Sequence, residues 1–559
     1  MEITKEFTRW LNKATKDNDL QNELKSMSED EKLDAFYKDL EFGTGGLRGV
    51  IGAGTNRMNV YTVSKATQGL ANYIIAHFKK EDRKVAISRD SRIKSDVFAN
   101  VAASVLAANG IKVFIYPRIE PVPALSFATR YLKCCSGIMI TASHNPSKYN
   151  GYKVYGSDGC QITTEAAKEI LSYISVIDVF GGFKTMDLDE AFEKGLVEYI
   201  KPVVLTKFIE EVKKQSFLGN EKIDKNIAIV YSPLYGSGLE PVKRALTELG
   251  YTNVNIVKEQ EMPNGYFPTC PYPNPEIKEA LQVGLEYCKK FDADLMLATD
   301  PDCDRVGIAI KNKKGEHVLL TGNQVGVLLL DYICSRRMAL GKMPKNPILV
   351  KTIVSMDLAD RVAASYGVQT INVLTGFKFI GEQIKLLENK GEEDRYIFGF
   401  EESYGYLSGT YVRDKDAVNG SVLICEMFAY YKSKGLSLLD KLDEIFKKFG
   451  YCLNSTQSYE FTGPTGQDKM NSIMDLYRKG IDCFAGLKVL ELQDYSLGLN
   501  GLPKSNVLKF KLDNNCSVVL RPSGTEPKLK VYVSISAKDE EAAKNKTQEI
   551  VKEFENKIK

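Results

Sequence analysis

The sequence predicts an α/β protein of four domains, three of similar α/β layout and a smaller α+β domain at the C-terminus. Three observations lead there. The 559 residues exceed what one hydrophobic core can serve, and at the usual domain size they divide into roughly three to five domains. From about residue 60 to residue 447, strand-like and helix-like segments alternate, the order of a layered α/β fold. After Gly450 the order changes: strand-like segments follow one another, and an amphipathic helix closes the chain.

Taken in order, residues 1 to about 40 read as Lys-, Asp- and Glu-rich helices with Leu20, Leu24, Leu33 and Phe36 facing inward, a packing extension rather than a site. Glu41–Gly49 follows, four glycines around one arginine, Arg48. The pattern then predicts a helix over 64–78, a strand 84–88, a helix 95–109, a strand 112–116, a strand ending at Ile140 and a helix 164–174; with the extension this makes a domain over 1–205. A second domain, 206–316, has strands 227–231 and 253–257, helices 239–249 and 275–290, and an apolar run ending at Asp300. The third, 317–449, has helix 322–338, strand 348–352, helix 357–366 and strand 368–373. The last, 450–559, has strands 507–511, 517–521 and 528–536 and helix 540–557.

Hydrophobic residues at 43% and charged residues at 26% are those of an ordinary globular protein. The 75 basic and 72 acidic side chains nearly cancel, to +3. Nothing here argues for nucleic acid or membrane, so an anion site must be local. Eleven cysteines, odd in number and without metal spacing, fit free thiols in a reducing compartment, and no apolar leader is visible; the expectation is a cytoplasmic protein.

The chemistry concentrates in a few stretches. Gly137–Lys153 runs from a buried strand end into a loop marked by Asn145-Pro146 and Asn150-Gly151, which places Ser143 on a turn with Lys153 ten residues on. A serine there can be a nucleophile presented to a cleft, or can simply satisfy its own turn. Asp300, Asp302 and Asp304 alternate directly after a strand. Three converging carboxylates are costly without a cation, and hard oxygen donors favour Mg²⁺. An EF-hand would need Gly and Glu where Arg305 and Lys311 stand. A dehalogenase-type aspartyl nucleophile at Asp300 would need threonine where Asp304 stands. Arg48 among glycines can grip a phosphate bidentately. Asp90-Ser91-Arg92 follows the first strand of the alternating region. Glu401 and Ser403, two residues apart on a turn, can bridge adjacent hydroxyls. Thr375-Gly376-Phe377-Lys378-Phe379 puts a lysine between aromatics. Arg521, Ser523, Gly524, Thr525 and Lys528 gather the donors of a phosphate clamp on one loop. Of the histidines His77, His144 and His317, only His144 adjoins a reactive group.

Thr141-Ala142-Ser143-His144-Asn145-Pro146, with Asn150-Gly151-Tyr152-Lys153, resembles the phosphoserine loop of the α-D-phosphohexomutases. Asp300-Pro301-Asp302-Cys303-Asp304-Arg305 resembles their metal loop, Glu401-Glu402-Ser403 their sugar loop and Arg521–Lys528 their C-terminal phosphate loop. These motifs span residues 41 to 528 in the family's order. The resemblance implies four domains around a central cleft and a phosphorylated Ser143 bridged by one Mg²⁺ to Asp300, Asp302 and Asp304. It implies Arg48 on the transferring phosphoryl group, Asp90 and Arg92 as supports of the serine, and Lys153, Lys378 and His144 near the proton transfers. Each lysine would need a depressed pKa to act near neutrality. Arg305, Thr375, Gly376, Glu401, Ser403 and Lys415 would contact the sugar phosphate, and Arg521, Ser523, Gly524, Thr525 and Lys528 its far phosphate.

The implied activity interconverts glucose 1-phosphate and glucose 6-phosphate, with glucose 1,6-bisphosphate as intermediate and activator, in a monomer or weak homodimer. The motifs look most like the bacterial-type branch. A phosphopentomutase, a phosphomannomutase or a glucose 1,6-bisphosphate synthase of the same superfamily is the alternative, and a catalytically dead sugar-phosphate binder would share the clamp but not need the serine.

Overall fold

A computed structural model describes residues 3–15, 17–43, 45–461, 466–523 and 528–558. The chain forms two compact units. The first comprises Met1–Leu320 with Gly381–Glu393 and Gly405–Ala429, the second Thr321–Ile380 with Asp394–Tyr404 and Tyr430–Lys559.

The first unit is built on two sheets. One runs in the order Gly46–Val50, Tyr149–Gly156, Ser136–Ile140, Lys84–Arg89, Lys112–Ile115, Val197–Tyr199. The last four strands are parallel and the first two antiparallel to their neighbours. Ser136–Ile140 is buried throughout, because helices such as Val60–His77 and Val122–Tyr131 cover the sheet, and a strand with both faces covered reads as a continuous apolar run. Helix Val60–His77 starts sharply: Asn59 accepts the N–H groups of Tyr61 and Thr62, and Thr62 returns a bond to the Asn59 N–H.

The other sheet runs His317–Leu320, Val306–Lys311, Leu295–Thr299, Ile229–Ser232, Val254–Ile256. Its strand Leu295–Thr299 pairs parallel on one side and antiparallel with the returning strand on the other, as Ser136–Ile140 does. The two sheets thus present equivalent strand ends, one leading into the serine loop and one into the aspartate loop. Carboxyl ends of parallel strands are where open α/β sheets bind ligands.

In the second unit, Gln369–Val373, Ile348–Thr352 and Tyr396–Glu401 lie parallel. An antiparallel sheet, Tyr451–Glu460, Lys528–Ala537, Cys516–Pro522, Leu508–Leu512, Leu487–Asp494, Cys483–Phe484, packs Val507, Val519 and Tyr532 against Ile353, Val354 and Leu374. Half-buried Asp357 seals that contact: it accepts from Lys509 Nζ (2.8 Å) and Ser517 Oγ (2.6 Å) and lies 3.5 Å from Lys351 Nζ. These cations hold its carboxyl below the usual range against the opposing effect of burial.

Several expectations need correction. Asn150-Gly151 is not a turn; it lies inside strand Tyr149–Gly156, with Gly151 opposite Arg48. Glycine serves close approach there, since a Cβ would stand 2.4 Å from the Thr141 carbonyl oxygen and 2.9 Å from that of Leu47. The glycines around Arg48 likewise belong in part to a strand, Gly46–Val50. Leu33 is exposed, whereas Leu20, Leu24 and Phe36 join Trp10 in a small core. Lys378, read only as a lysine between aromatics, sits in the first turn of helix Phe377–Glu388. Among the described residues no helix is long and apolar enough to cross a membrane.

Candidate active site

Ser143 lies three residues beyond strand Ser136–Ile140, in a left-handed conformation (φ 53°) that a non-glycine residue adopts only when its surroundings hold it there. The restraint is visible. The Ser143 N–H donates to Thr141 Oγ1 (2.8 Å), and Thr141 Oγ1 donates to Asp90 Oδ2 (2.6 Å). Asp90 Oδ1 accepts the Arg92 N–H (3.0 Å) and Ser95 Oγ (3.1 Å). The Arg92 guanidinium donates to the carbonyls of Ser143, Asn145, Pro146 and Tyr149 and stacks over the Phe267 ring at 5.2 Å. The Asp-x-Arg pair thus staples the serine loop from behind.

The Ser143 hydroxyl donates to Asp300 Oδ2 at 2.7 Å and stands 3.1 Å from His144 Nδ1. Asp300, Asp302 and Asp304 each place a carboxylate oxygen within 4.8 Å of the others, and all three are buried. Asp300 Oδ1 accepts the N–H groups of Asp304 and Arg305 (3.1 Å each). Lys153 Nζ lies 2.8 Å from Asp302 Oδ2 and 3.6 Å from Asp304 Oδ2. Lys415 Nζ lies 3.0 Å from Asp304 Oδ2. Asp302 Oδ1 and Asp304 Oδ1 are buried with no hydrogen-bond partner.

These placements set the electrostatics. Burial, then the charges of Asp302 and Asp304, push Asp300 well above the ordinary carboxyl range. Burial acts the same way on Asp304, but Lys415, Lys153 and Arg305 outweigh it and hold that group low. The orphan oxygens and hard donors fit a divalent cation. Lys153 departs from expectation: burial lowers its pKa, yet Asp302 and Asp304 more than compensate, and the ammonium is held charged rather than poised as a base. His144 is kept neutral, lowered first by burial and then by Arg305 and Arg48. Arg48 and Arg305 feel each other's charge as well as Asp302 and Asp304, so two guanidiniums flank the cluster, an arrangement suited to an anion.

Two groups had no chemical role in the sequence reading. Asp414 accepts Tyr155 OH (2.9 Å) and lies 3.2 Å from Lys415 Nζ, and so orients the lysine. Glu276 lies 2.7 Å from Arg305 Nη1. The signal for the first was Arg413-Asp414-Lys415-Asp416, four successive charges that are all buried where a charge run is usually solvated.

The second unit carries the other motifs. Glu401 Oε1 accepts the Gly376 N–H at 2.9 Å, which joins the Thr375-Gly376 and Glu401-x-Ser403 loops. Ser403 is half-buried in the turn after strand Tyr396–Glu401. Lys378 Nζ lies 5.1 Å from the centre of the Phe379 ring. Arg521 Nη1 donates to Tyr532 OH (3.3 Å); burial, together with Glu402 and Glu401, pushes that phenol up to about 12, with Arg521 opposing. Tyr532 thus links the arginine to the neighbourhood of Glu401 and Glu402. The Ser523 N–H donates to the Lys528 carbonyl (2.7 Å), and Lys528 Nζ pairs with Glu460 (2.7 Å). Gly524 and Thr525 fall outside the described residues.

Family models for phosphoglucomutase/phosphomannomutase match the chain four times: α/β/α domain I at 39–178, domain II at 206–315, domain III at 321–449 and the C-terminal domain at 486–553. The chain belongs to the phosphoglucomutase/phosphomannomutase family, the α-D-phosphohexomutases, and is thus an isomerase by class. A phosphoglucomutase of Staphylococcus saprophyticus is 37% identical over 529 residues, covering 92% of this chain and 94% of that protein. One from Staphylococcus aureus strain USA300 is 36% identical over 540 residues, 94% and 95% of the two chains. Among solved structures, parafusin of Paramecium, a phosphoglucomutase, superposes with a TM-score of 0.68 at 18% identity over 93% of this chain and 95% of that one. A phosphoglucomutase/phosphomannomutase family protein of Burkholderia thailandensis gives 0.67 at 18% over 92% and 97%. At such identities the structures speak for the fold.

Proposed function

We propose that the protein is a phosphoglucomutase, interconverting α-D-glucose 1-phosphate and glucose 6-phosphate through a phosphorylated Ser143. The observation that carries the reading is the Ser143 hydroxyl donating to Asp300 inside a buried three-carboxylate cluster. The name that the Staphylococcus relatives bear supports the choice of glucose.

Phosphorylated Ser143 gives its phosphoryl group to the 6-hydroxyl of glucose 1-phosphate: the bond from phosphorus to the serine oxygen breaks, the bond to O6 forms, and the hydroxyl proton leaves to a base. The glucose 1,6-bisphosphate so made turns over, and Ser143 takes the phosphoryl group from O1. Asp300, Asp302, Asp304 and the Ser143 oxygen would hold a divalent cation, Mg²⁺ by donor chemistry, which when bound neutralises phosphoryl oxygens.

The chain's own residues do the rest. Arg92 and Asp90 fix the serine loop. Arg48 and Arg305, the latter steadied by Glu276, hold the negative charge of the group in flight. Lys153, kept as an ammonium by Asp302 and Asp304, suits charge stabilisation and proton donation, and Lys378 is the candidate for the opposite role. His144 stays neutral and buttresses the serine. Thr375, Gly376, Glu401 and Ser403 read the sugar hydroxyls, and Arg521, Ser523, Gly524, Thr525 and Lys528 the distal phosphate. The four-domain partition 1–205, 206–316, 317–449 and 450–559 belongs to this reading. A reducing, cytoplasmic setting suits eleven free cysteines that are buried except for Cys483.

The test is turnover of glucose 1-phosphate, mannose 1-phosphate and ribose 1-phosphate, each primed with its bisphosphate. The reading predicts the highest kcat/KM for glucose, and a preference for the pentose would overturn it.

A further inference from the structure

The region matched by the family model begins at residue 39, yet three helices precede it, Ile3–Lys13, Asn18–Ser26 and Glu29–Phe36. They are held by an apolar core in which Trp10 meets Phe36 and Tyr61. Apart from the Arg9–Asp178 pair, their polar contacts with the rest of the fold fall on two loops, one after the Arg48 strand and one after Arg92.

The first loop follows the Arg48 strand. Glu23 accepts the Ala53 N–H at 3.0 Å, the Asn56 N–H donates to the Ala35 carbonyl at 3.0 Å, and Arg57 Nη2 lies 2.5 Å from Asp34. The second loop follows Arg92. Lys94, in the left-handed region (φ 60°), reaches Asp17 at 3.0 Å and Asp19 at 3.1 Å. Asn150 ties this loop to the strand beside Arg48, its amide donating to the Ile93 carbonyl and Ser95 Oγ (3.0 Å each). A chain of contacts therefore runs from helix Asn18–Ser26 through Lys94 to Arg92, and through Arg92 to the carbonyl of Ser143.

We propose that the N-terminal extension is a positioning element of the phosphoryl-transfer site, in which Asp17, Asp19 and Glu23 fix the Lys94 and Ala53 turns so that Arg92 and Arg48 keep their places around Ser143. This rests on the phosphoserine reading given above. Partly exposed ion pairs such as Lys94–Asp17 add little to stability, whereas small displacements of a reacting group are costly in rate. The two effects are therefore separable by experiment.

The test compares the full chain with Lys94→Met, Lys94→Arg and the double variant Asp17→Asn/Asp19→Asn. In Lys94→Met, kcat should fall about ten- to a hundredfold with KM for glucose 1-phosphate and the melting point nearly unchanged, and Lys94→Arg should recover most of the rate. Amide hydrogen exchange over residues 90–95 and 141–151 should quicken in Lys94→Met and in the double variant. A wild-type kcat with unaltered exchange in Lys94→Met overturns the proposal, as does a rate loss that only follows a loss of folded protein. If the wild-type chain itself ignores glucose 1-phosphate, the substrate assignment falls, and the exchange comparison still decides the positioning role.

Discussion

Replacing Gly151 by alanine probes the serine site without touching a reacting group. The new methyl would meet the Thr141 oxygen at 2.4 Å and the Leu47 oxygen at 2.9 Å, both backbone atoms that no rotamer change can remove. Ordinary van der Waals contact starts at 3.4 Å, so Thr141 must retreat by about 1 Å from the strand. Thr141 also holds the Ser143 N–H and receives the Gly151 carbonyl as acceptor for its own N–H (3.1 Å), so the displacement passes directly to the serine. Overpacking of this kind costs about 1–3 kcal/mol, and a misplacement of about 1 Å costs on the order of a hundredfold in rate. Formation of glucose 6-phosphate from glucose 1-phosphate, with circular dichroism and thermal unfolding on the same samples, reads both numbers. An unchanged kcat and melting point would refute the claim that this glycine is there for close approach.

Chelation should abolish turnover and Mg²⁺ restore it, and Asp302→Asn, which removes a carboxylate with a buried orphan oxygen, should lower kcat roughly a hundredfold or more at saturating Mg²⁺; an EDTA-insensitive rate would contradict the cation assignment. Stability should depend on pH through Glu120, whose carboxyl is raised from 4.5 to about 7 by burial against the opposing pull of Arg118. The folded chain binds the extra proton between those values, so the stabilisation is complete below about 4.5 and is lost as pH rises through about 7, a change on the order of 3 kcal/mol. Glu120→Gln should flatten the melting temperature across that window, and an equally steep fall in the variant would remove Glu120 as the cause.

Much of this was legible in the sequence. The run ending at Ile140 is apolar throughout because both sheet faces are covered, and such a run can be read without knowing the fold. The aspartates of 300–304 stand out because three converging carboxylates are costly without a cation, whereas a turn serine can as well satisfy its own turn, and the serine loop is picked out by its resemblance to the family's loop. What escaped was set by tertiary contact. Asn150-Gly151 carries the signature of a turn, but the neighbouring carbonyl of Thr141 decides that the glycine sits in a strand. Helix Val122–Tyr131 was not among the predicted elements; proline stands in its first turn, where it is tolerated. The state of Lys153 depends on two carboxylates 149 and 151 residues away in sequence, which reverse the effect of its burial, and no local pattern carries that information. Nor did the extension's polar residues reveal that they face the loops around Arg48 and Arg92.

The central claim is that Ser143 carries the phosphoryl group, and mass spectrometry after incubation with glucose 1,6-bisphosphate tests it most directly. Phosphate should appear on the peptide containing Ser143, discharge on addition of glucose 1-phosphate or glucose 6-phosphate, and be absent from a folded Ser143→Ala variant that turns over orders of magnitude more slowly. A hydroxylamine-labile phosphate on the peptide containing Asp300, or near-normal turnover by Ser143→Ala, would contradict it.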